Sequence, residues 1–369
     1  MSRLFEPWSL GGLPLANRIV VAPMCQYSAA DGTPGDWHRV HLGHLALSGA
    51  GLLILEATAI SPEGRISPQD LGLYSDANEA ALRDLVTMVR TMSPIALAVQ
   101  LSHAGRKGSS RAPWDGGTQI QASAPGGWRA EAPSALPHAA GEESPMALDA
   151  GGLARVKQGF VDAARRAQLA GLQGIELHAA HGYLLHQFLS PLANARDDAY
   201  GGSSANRMRF PLEVFDAVRA AVDLPVWVRV SATDWVDGGW DLPQTLAFGQ
   251  ELARRGCVAL HVSSGGVSPA QQIPIGPGYQ LPLARAVREA VPVPVIGVGL
   301  ITEPTQAEAA IAEGHADAVA LARAMLYNPR WPWHAAAALG AQVTAPPAYW
   351  RSAPREAKNL FAGMHFGQR

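Results

Sequence analysis

The chain has 369 residues, 48% of them hydrophobic, with a formal net charge of −2 and two cysteines, Cys25 and Cys257. A chain of this size buries a core without disulfides or structural metal, and a near-neutral charge supplies no basic field for nucleic acid. Two isolated cysteines make neither a disulfide framework nor an iron–sulfur site, which needs about four ligands.

The opening, Met1 to Leu15, carries Glu6 and Pro7 and lacks a basic-then-apolar leader pattern. No run approaches the roughly 18 apolar residues of a membrane span. A cytoplasmic setting without a membrane partner is therefore expected. Short β-branched apolar runs then recur: Ile19–Ala22, Leu52–Leu55, Ile95–Val99, Gly174–Leu177, Val226–Val230, Ala259–Val262, Val293–Val298 and Ala318–Leu321. Each is apolar on consecutive positions, as a strand buried on both faces should be. Amphipathic stretches separate them, among them Asn78–Met92, Gly152–Ala170, Asn206–Ala221, Leu242–Arg255, Leu281–Ala290 and Glu303–Glu313. Eight strand–helix repeats predict an α/β protein, a single (β/α)8 TIM barrel over residues 1–369. The alternative, a doubly wound sheet, lacks its early Gly-rich fingerprint here.

Two connections are too long to be plain linkers. Residues 102–150, rich in Gly, Pro, Ser and Ala, follow the third strand and are expected to form a lid subdomain. Residues 182–206 follow the fourth strand. Both sit on the face where barrel active sites are built. The tail, 345–369, carries Tyr349, Trp350 and Arg351 and either frays or docks on a neighbour.

Strand ends carry barrel chemistry. After strand seven comes Gly299 and after strand eight Ala322-Arg323. Gly299 lets backbone approach a ligand, and Arg323 with nearby N–H groups would hold a phosphate dianion. The plainer alternative is a tight turn and a surface cation. Strand four ends in His178, His181 and Tyr183. Such a pair can be a metal site, a donor pair or satisfied polar core. A catalytic zinc wants a third ligand, and Glu176 is expected to face the other way. No metal is assigned. Two histidine donors aimed at one anionic oxygen, with Tyr183 as a nearby acid, is the preferred reading. His38, His41 and His44 follow helical spacing and read as structural or surface. His103 is expected to help fix the lid, His186 to pack in the next helix, and His261 has no role. Trp114, Trp128, Trp235 and Trp240 lie in predicted loops, where they shape a pocket or cap the barrel.

The run His178-Ala-Ala-His181-Gly-Tyr183-Leu-Leu-His-Gln187-Phe188-Leu-Ser190-Pro191 is followed by Asn194-Ala-Arg196-Asp197-Asp-Ala-Tyr200-Gly201-Gly202-Ser203-Ser-Ala-Asn206-Arg207. With the opening Asn17-Arg18…Pro23-Met24-Cys25-Gln26-Tyr27 and the segment Gln100…His103-Ala-Gly105-Arg106-Lys107, it resembles the Old Yellow Enzyme family over nearly the whole chain. Cys25 after Pro23-Met24 resembles the thermophilic-like, xenobiotic-reductase subgroup. The resemblance implies noncovalent FMN at the barrel mouth, lined by Ala22, Pro23, Met24, Cys25 and Ala57. It implies Gln100 at the pyrimidine end, Arg229 beside N1 and O2, and Gly299, Ala322 and Arg323 on the phosphate. Ala322 stands where the family usually has glycine. The implied reaction uses NADPH or NADH as reductant and an α,β-unsaturated carbonyl or nitro compound as acceptor. His178 and His181 bind the acceptor's oxygen, hydride passes from flavin N5 to the β-carbon, and Tyr183 protonates the α-carbon. Cys25 tunes the flavin and Tyr27 adds a second hydroxyl near the substrate. A homodimer or homotetramer is implied, with Arg351 of a neighbour's tail entering the substrate site.

Overall fold

The computed structural model describes residues 2–365, so the tail's last four positions, 366–369, lie outside the described residues. Eight strands close into a parallel barrel: Ile19–Val21 (β1), Leu52–Ala59 (β2), Ala96–Ser102 (β3), Gly174–Ala179 (β4), Val226–Ser231 (β5), Leu260–Ser263 (β6), Val295–Gly297 (β7) and Ala318–Leu321 (β8). Closure is made by β8 on β1, with Val319 opposite Ile19 and Leu321 opposite Val21. The (β/α)8 expectation holds, and each predicted run is a barrel strand. The main difference is length. β2 and β3 continue past Leu55 and Val99 as a paired ladder to Ala59 and Ser102, through a bulge between Leu55 and Ala57. The extension carries polar residues, Glu56, Thr58, Gln100 and Ser102, which break the apolar run without breaking the strand.

Outside the barrel run helices Asp36–Ala46 (α1), Asp76–Met92 (α2), Ala150–Leu169 (α3), Ser204–Ala221 (α4), Leu242–Arg254 (α5), Leu281–Ala290 (α6), Pro304–Ala312 (α7) and Trp331–Leu339 (α8). The side chains of Ser75, Asp149 and Ser203 cap α2, α3 and α4 by accepting from the amides of Asn78, Gly152 and Asn206. Those three amide residues are where periodicity placed the starts. The first turn of each helix holds few apolar residues, so the pattern begins two residues late.

The barrel's lower end is closed by a hairpin, Trp8–Leu10 with Leu13–Leu15, unforeseen in the sequence. Its turn is Gly11-Gly12, both at positive φ, as a two-residue hairpin loop requires. A Cβ on Gly11 would lie 2.6 Å from Val258, so the turn packs against the chain entering β6. Among the described residues, no helix is long and apolar enough to cross a membrane.

Beyond α8 the chain folds back. Val343 bridges to Phe361, and Trp333, Ala336, Leu360 and Phe361 form a small second core. Phe361 is 2% exposed and packs edge-on to Trp333 at 5.0 Å. Phe361→Ala is expected to cost about 3 kcal/mol through the cavity it leaves. Urea unfolding measures this, and a midpoint equal to wild type would mean the tail adds nothing to stability.

Candidate active site

The site begins with an unusual turn at the end of β4. His181 has φ 57 and Gly182 φ 74. A histidine pays for left-handed backbone, so something must over-determine the turn. Four contacts do. The His181 N–H donates to Ser231 Oγ at 2.9 Å, and the His181 carbonyl accepts from Lys107 Nζ at 2.9 Å. The Gly182 N–H donates to His186 Nδ1 at 2.9 Å, and His186 Nε2 lies 3.0 Å from Asp234 Oδ1. A Cβ on Gly182 would sit 2.1 Å from the Gly266 carbonyl, so glycine is required there.

This turn aims three side chains at the mouth. His178 Nε2 lies 3.4 Å from His181 Nδ1, with the rings perpendicular. Tyr183 stands edge-on to His178, ring centroids 4.9 Å apart, and caps the short helix Leu184–Leu189. His178 Nδ1 accepts from the Ala180 N–H at 3.3 Å, which places the ring proton on Nε2. His181 Nε2 lies 2.8 Å from Ser263 Oγ, which also reaches the Val230 carbonyl at 3.2 Å. Burial and the Arg229 charge hold both imidazoles well below the ordinary histidine pKa. Both are neutral at pH 7. Burial, with Cys25 and Tyr27 nearby, raises Tyr183 well above its usual value, so the phenol keeps its proton.

Below the mouth lies a buried carboxylate, Glu176. It accepts from Gln100 Nε2 at 2.7 Å, Trp227 Nε1 at 2.7 Å and His261 Nδ1 at 2.8 Å. Burial alone would raise its pKa, but His261, Arg229 and Trp227 outweigh that and leave it low. The expectation that Glu176 faces away from the histidines is corrected. Residues two apart on a strand share a face, and Glu176 and His178 both point into the barrel. The contact also gives His261, without a role in the sequence reading, a structural one. Committing Gln100 Nε2 to Glu176 leaves its Oε1 as the free end.

Arg229, opposite His178 and His261 in the ladder, is buried, and its Nε has no protein partner. It lines a cavity of about 250 Å3 with His181, Ser263, Ser264, Tyr279, Gln280, Gly299, Ala322 and Arg323. A buried guanidinium with an unpartnered Nε, lining one cavity with a second arginine, fits an anionic cofactor bearing a phosphate. Gly299, at φ 130, also needs its missing Cβ for a protein reason, because that atom would fall 2.8 Å from Gln280 Nε2.

The segment from Ala22 to Tyr27 leaves the C-terminal end of β1. The Ala22 N–H donates to the Leu321 carbonyl at 3.0 Å. The Gln26 N–H donates to Glu56 Oε2 at 2.8 Å, and the Gln26 side-chain amide reaches back to the Met24 carbonyl at 2.9 Å. Glu56 in turn lies 3.3 Å from His38 Nε2, giving that histidine the structural role expected of it. Tyr27, at φ 51, meets Trp114 of the connection between β3 and α3 edge-on at 5.4 Å. Burial, Asp70 and Glu56 push the Cys25 thiol up, so it stays protonated. Ala57 follows the β2 bulge and pairs with Gln100. His103 Nε2 approaches Glu131 of the same β3–α3 connection at 3.8 Å.

Arg351 is the site candidate that the chain does not bring to its own mouth. It is exposed on the turn Pro347–Ser352, whose Tyr349 packs on Trp333 at 5.7 Å. Pro347, at the start of that turn, lines one cavity with Leu47, Gly49 and Ala50 of the connection from α1 into β2. Sequence reasoning missed Glu56, Tyr279, Gln280 and Asp234 and gave Ser231, Ser263 and Ser264 no role. Glu56 and the serines stood at strand ends, the available signal; Tyr279, Gln280 and Asp234 carried none. Among the described residues, no group of three or more His, Cys, Asp or Glu side chains is placed to hold a metal ion.

Residues 3–342 match the model of the NADH:flavin oxidoreductase / NADH oxidase family. The chain is 43% identical over 350 residues to the NADPH dehydrogenase of Geobacillus thermodenitrificans, covering 94% of this chain and 98% of that protein. Morphinone reductase superposes with a TM-score of 0.76 at 31% identity, covering 99% of this chain and 94% of its own. A 2-naphthoyl-CoA reductase superposes at 0.82 with 24% identity, covering 92% of this chain and 52% of that one, a likeness of fold alone. With these matches and a mouth built to receive an anionic cofactor, the chain belongs to the Old Yellow Enzyme family, the flavin oxidoreductases that use FMN with NADH or NADPH.

Proposed function

We propose that this enzyme reduces the activated C=C bond of α,β-unsaturated carbonyl or nitro compounds, drawing electrons from NADPH or NADH. The observation that carries the reading is the convergence of His178 Nε2 and His181 Nδ1, 3.4 Å apart, beside the Tyr183 phenol. When bound, FMN supplies the two-electron chemistry that links nicotinamide oxidation to acceptor reduction. Ala22–Cys25, Ala57, Gln100 and Arg229 would hold its ring system, and Gly299, Ala322 and Arg323 its phosphate. The extra methyl of Ala322 bears on how closely that backbone approaches.

The histidines then act as neutral donors to one oxygen. His178 already carries its proton on Nε2. For His181 to donate from Nδ1, its Nε2 must accept, and the Ser263 hydroxyl can turn from the Val230 carbonyl to donate there. Negative charge developing on the acceptor's oxygen is met by two N–H groups and by the Arg229 field. Tyr183 gives its proton to the α-carbon. Tyr27 adds a second hydroxyl at the substrate, and Cys25 touches the cofactor edge as a thiol.

Arg351, exposed and remote from its own mouth, fits a role in a neighbour's substrate site within a homodimer or homotetramer. Sedimentation showing a fully active monomer would remove that part.

The test of the reaction is spectroscopic. The FMN-loaded protein is titrated anaerobically with NADPH and then given 2-cyclohexen-1-one. Bleaching by NADPH and recovery of the oxidised spectrum on adding enone is the expected result. Bleaching without recovery would sink the enone reading while keeping the flavoenzyme.

A further inference from the structure

Lys107 lies within the segment that joins β3 to the lid, and its half-buried ammonium has no carboxylate in ion-pair reach among the described residues. A cation withdrawn from water normally takes a counter-ion. This one donates to two backbone carbonyls, His181 at 2.9 Å and Gly266 at 3.1 Å, and lies over the Tyr183 ring, 5.1 Å from its centroid. The first carbonyl belongs to the left-handed His181, at φ 57, and the second to Gly266, whose φ of 97 is one that glycine adopts without strain. The ammonium thus ties the β4 turn to the β6 loop directly behind the acid and the histidine pair.

We propose that Lys107 is an electrostatic positioning residue of the reductase, holding the His181–Gly182 turn and lending positive potential to the anion that forms at the histidine pair. The proposal rests on the reading of that pair as the acceptor's oxygen site. Two observations support it beyond simple cross-linking. The Lys107 charge is among those that keep His178 and His181 neutral, so its field reaches the point where their nitrogens meet. And a cation over a phenol ring gains attraction when that ring loses its proton, as Tyr183 does on protonating the α-carbon.

The proposal has a pH signature. Burial first, then the adjacent Arg106, lower Lys107 to about 8, against a smaller opposing pull from Glu142. The other titratable groups facing it are His178, His181, Tyr183 and His138. Burial lowers His138 to about 4, and none of these gains or loses a proton between pH 7 and 9. A depressed lysine pKa means the charge is present below about 8 and lost above it. The anion site should therefore weaken as pH rises through that value.

The experiment uses the FMN-loaded protein with 4-hydroxybenzaldehyde as the phenolate probe, titrated calorimetrically from pH 6 to 9.5, in wild type, Lys107→Met, Lys107→Arg and Tyr183→Phe. Expected is a loss of phenolate affinity of about tenfold in Lys107→Met, with Lys107→Arg within about threefold of wild type. The wild-type fall in affinity above pH 8 should be absent in Lys107→Met. Enone-driven reoxidation should drop in parallel, with reduction by NADPH little changed. Wild-type affinity and an unchanged pH profile in Lys107→Met would overturn the role of Lys107; if Tyr183→Phe is impaired alongside, the reductase reading survives that loss. Should Lys107→Met fail to fold, the wild-type profile and Lys107→Arg still decide. A flat wild-type affinity from pH 7 to 9.5, or equal loss in Lys107→Arg, counts against the electrostatic role.

Discussion

Tyr183→Phe is expected to slow reoxidation by an enone by roughly 10²–10⁴ while leaving reduction by NADPH within about twofold. The asymmetry follows from what each half-reaction asks of the protein. Nicotinamide gives up a hydride and needs no proton from the site. The enone needs one at its α-carbon, and Tyr183 is the protonated acid at the histidine pair. Its ring is fixed edge-on to His178 and under Lys107, contacts that phenylalanine keeps. The substitution therefore isolates the hydroxyl. Because burial and the Cys25 and Tyr27 neighbours raise the phenol's pKa, its own ionisation puts no basic limb into the profile below pH 10. Stopped-flow traces of the two half-reactions measure the effect. Equal losses in both would mean Tyr183 supports cofactor binding, not proton delivery.

The histidine pair and the tyrosine were legible because six consecutive residues at one strand end carry all three. What holds them was not legible. Ser231, Ser263, Lys107 and Asp234 come from other strands and loops, and only the closed barrel brings them to the turn at His181. Glu176 does not face away as expected, because it stands two residues before His178 and the period of two along β4 turns both inward. The barrel itself was readable from eight apolar runs. The ends of β2 and β3 were not, since residues serving the site interrupt the apolar pattern there. The hairpin of residues 8–15 was missed because three-residue strands leave too little periodicity, although Gly11-Gly12 was a usable turn signal.

His178→Ala should lower enone turnover on the order of 10²–10³ and weaken phenol binding. The neutral ring is an obligate donor: Nδ1 is committed to the Ala180 N–H, so Nε2 presents the proton at the mouth. Removing it leaves one N–H for an oxygen that gains a full charge. The loss stops short of abolition because His181 remains, still aimed by Ser231 and Lys107, and Arg229 keeps its charge nearby. Truncation also strips the Ala180 N–H of its acceptor, which costs about 1–3 kcal/mol if that group stays buried. Thermal unfolding of the FMN-loaded protein separates this cost from the chemistry. A variant that melts lower yet binds the phenol as wild type does would assign His178 to holding the turn, and the anion site would then rest on His181, Arg229 and Lys107. A variant that loses affinity in proportion to turnover, beyond what its melting explains, places the charge of the reaction between the two imidazoles.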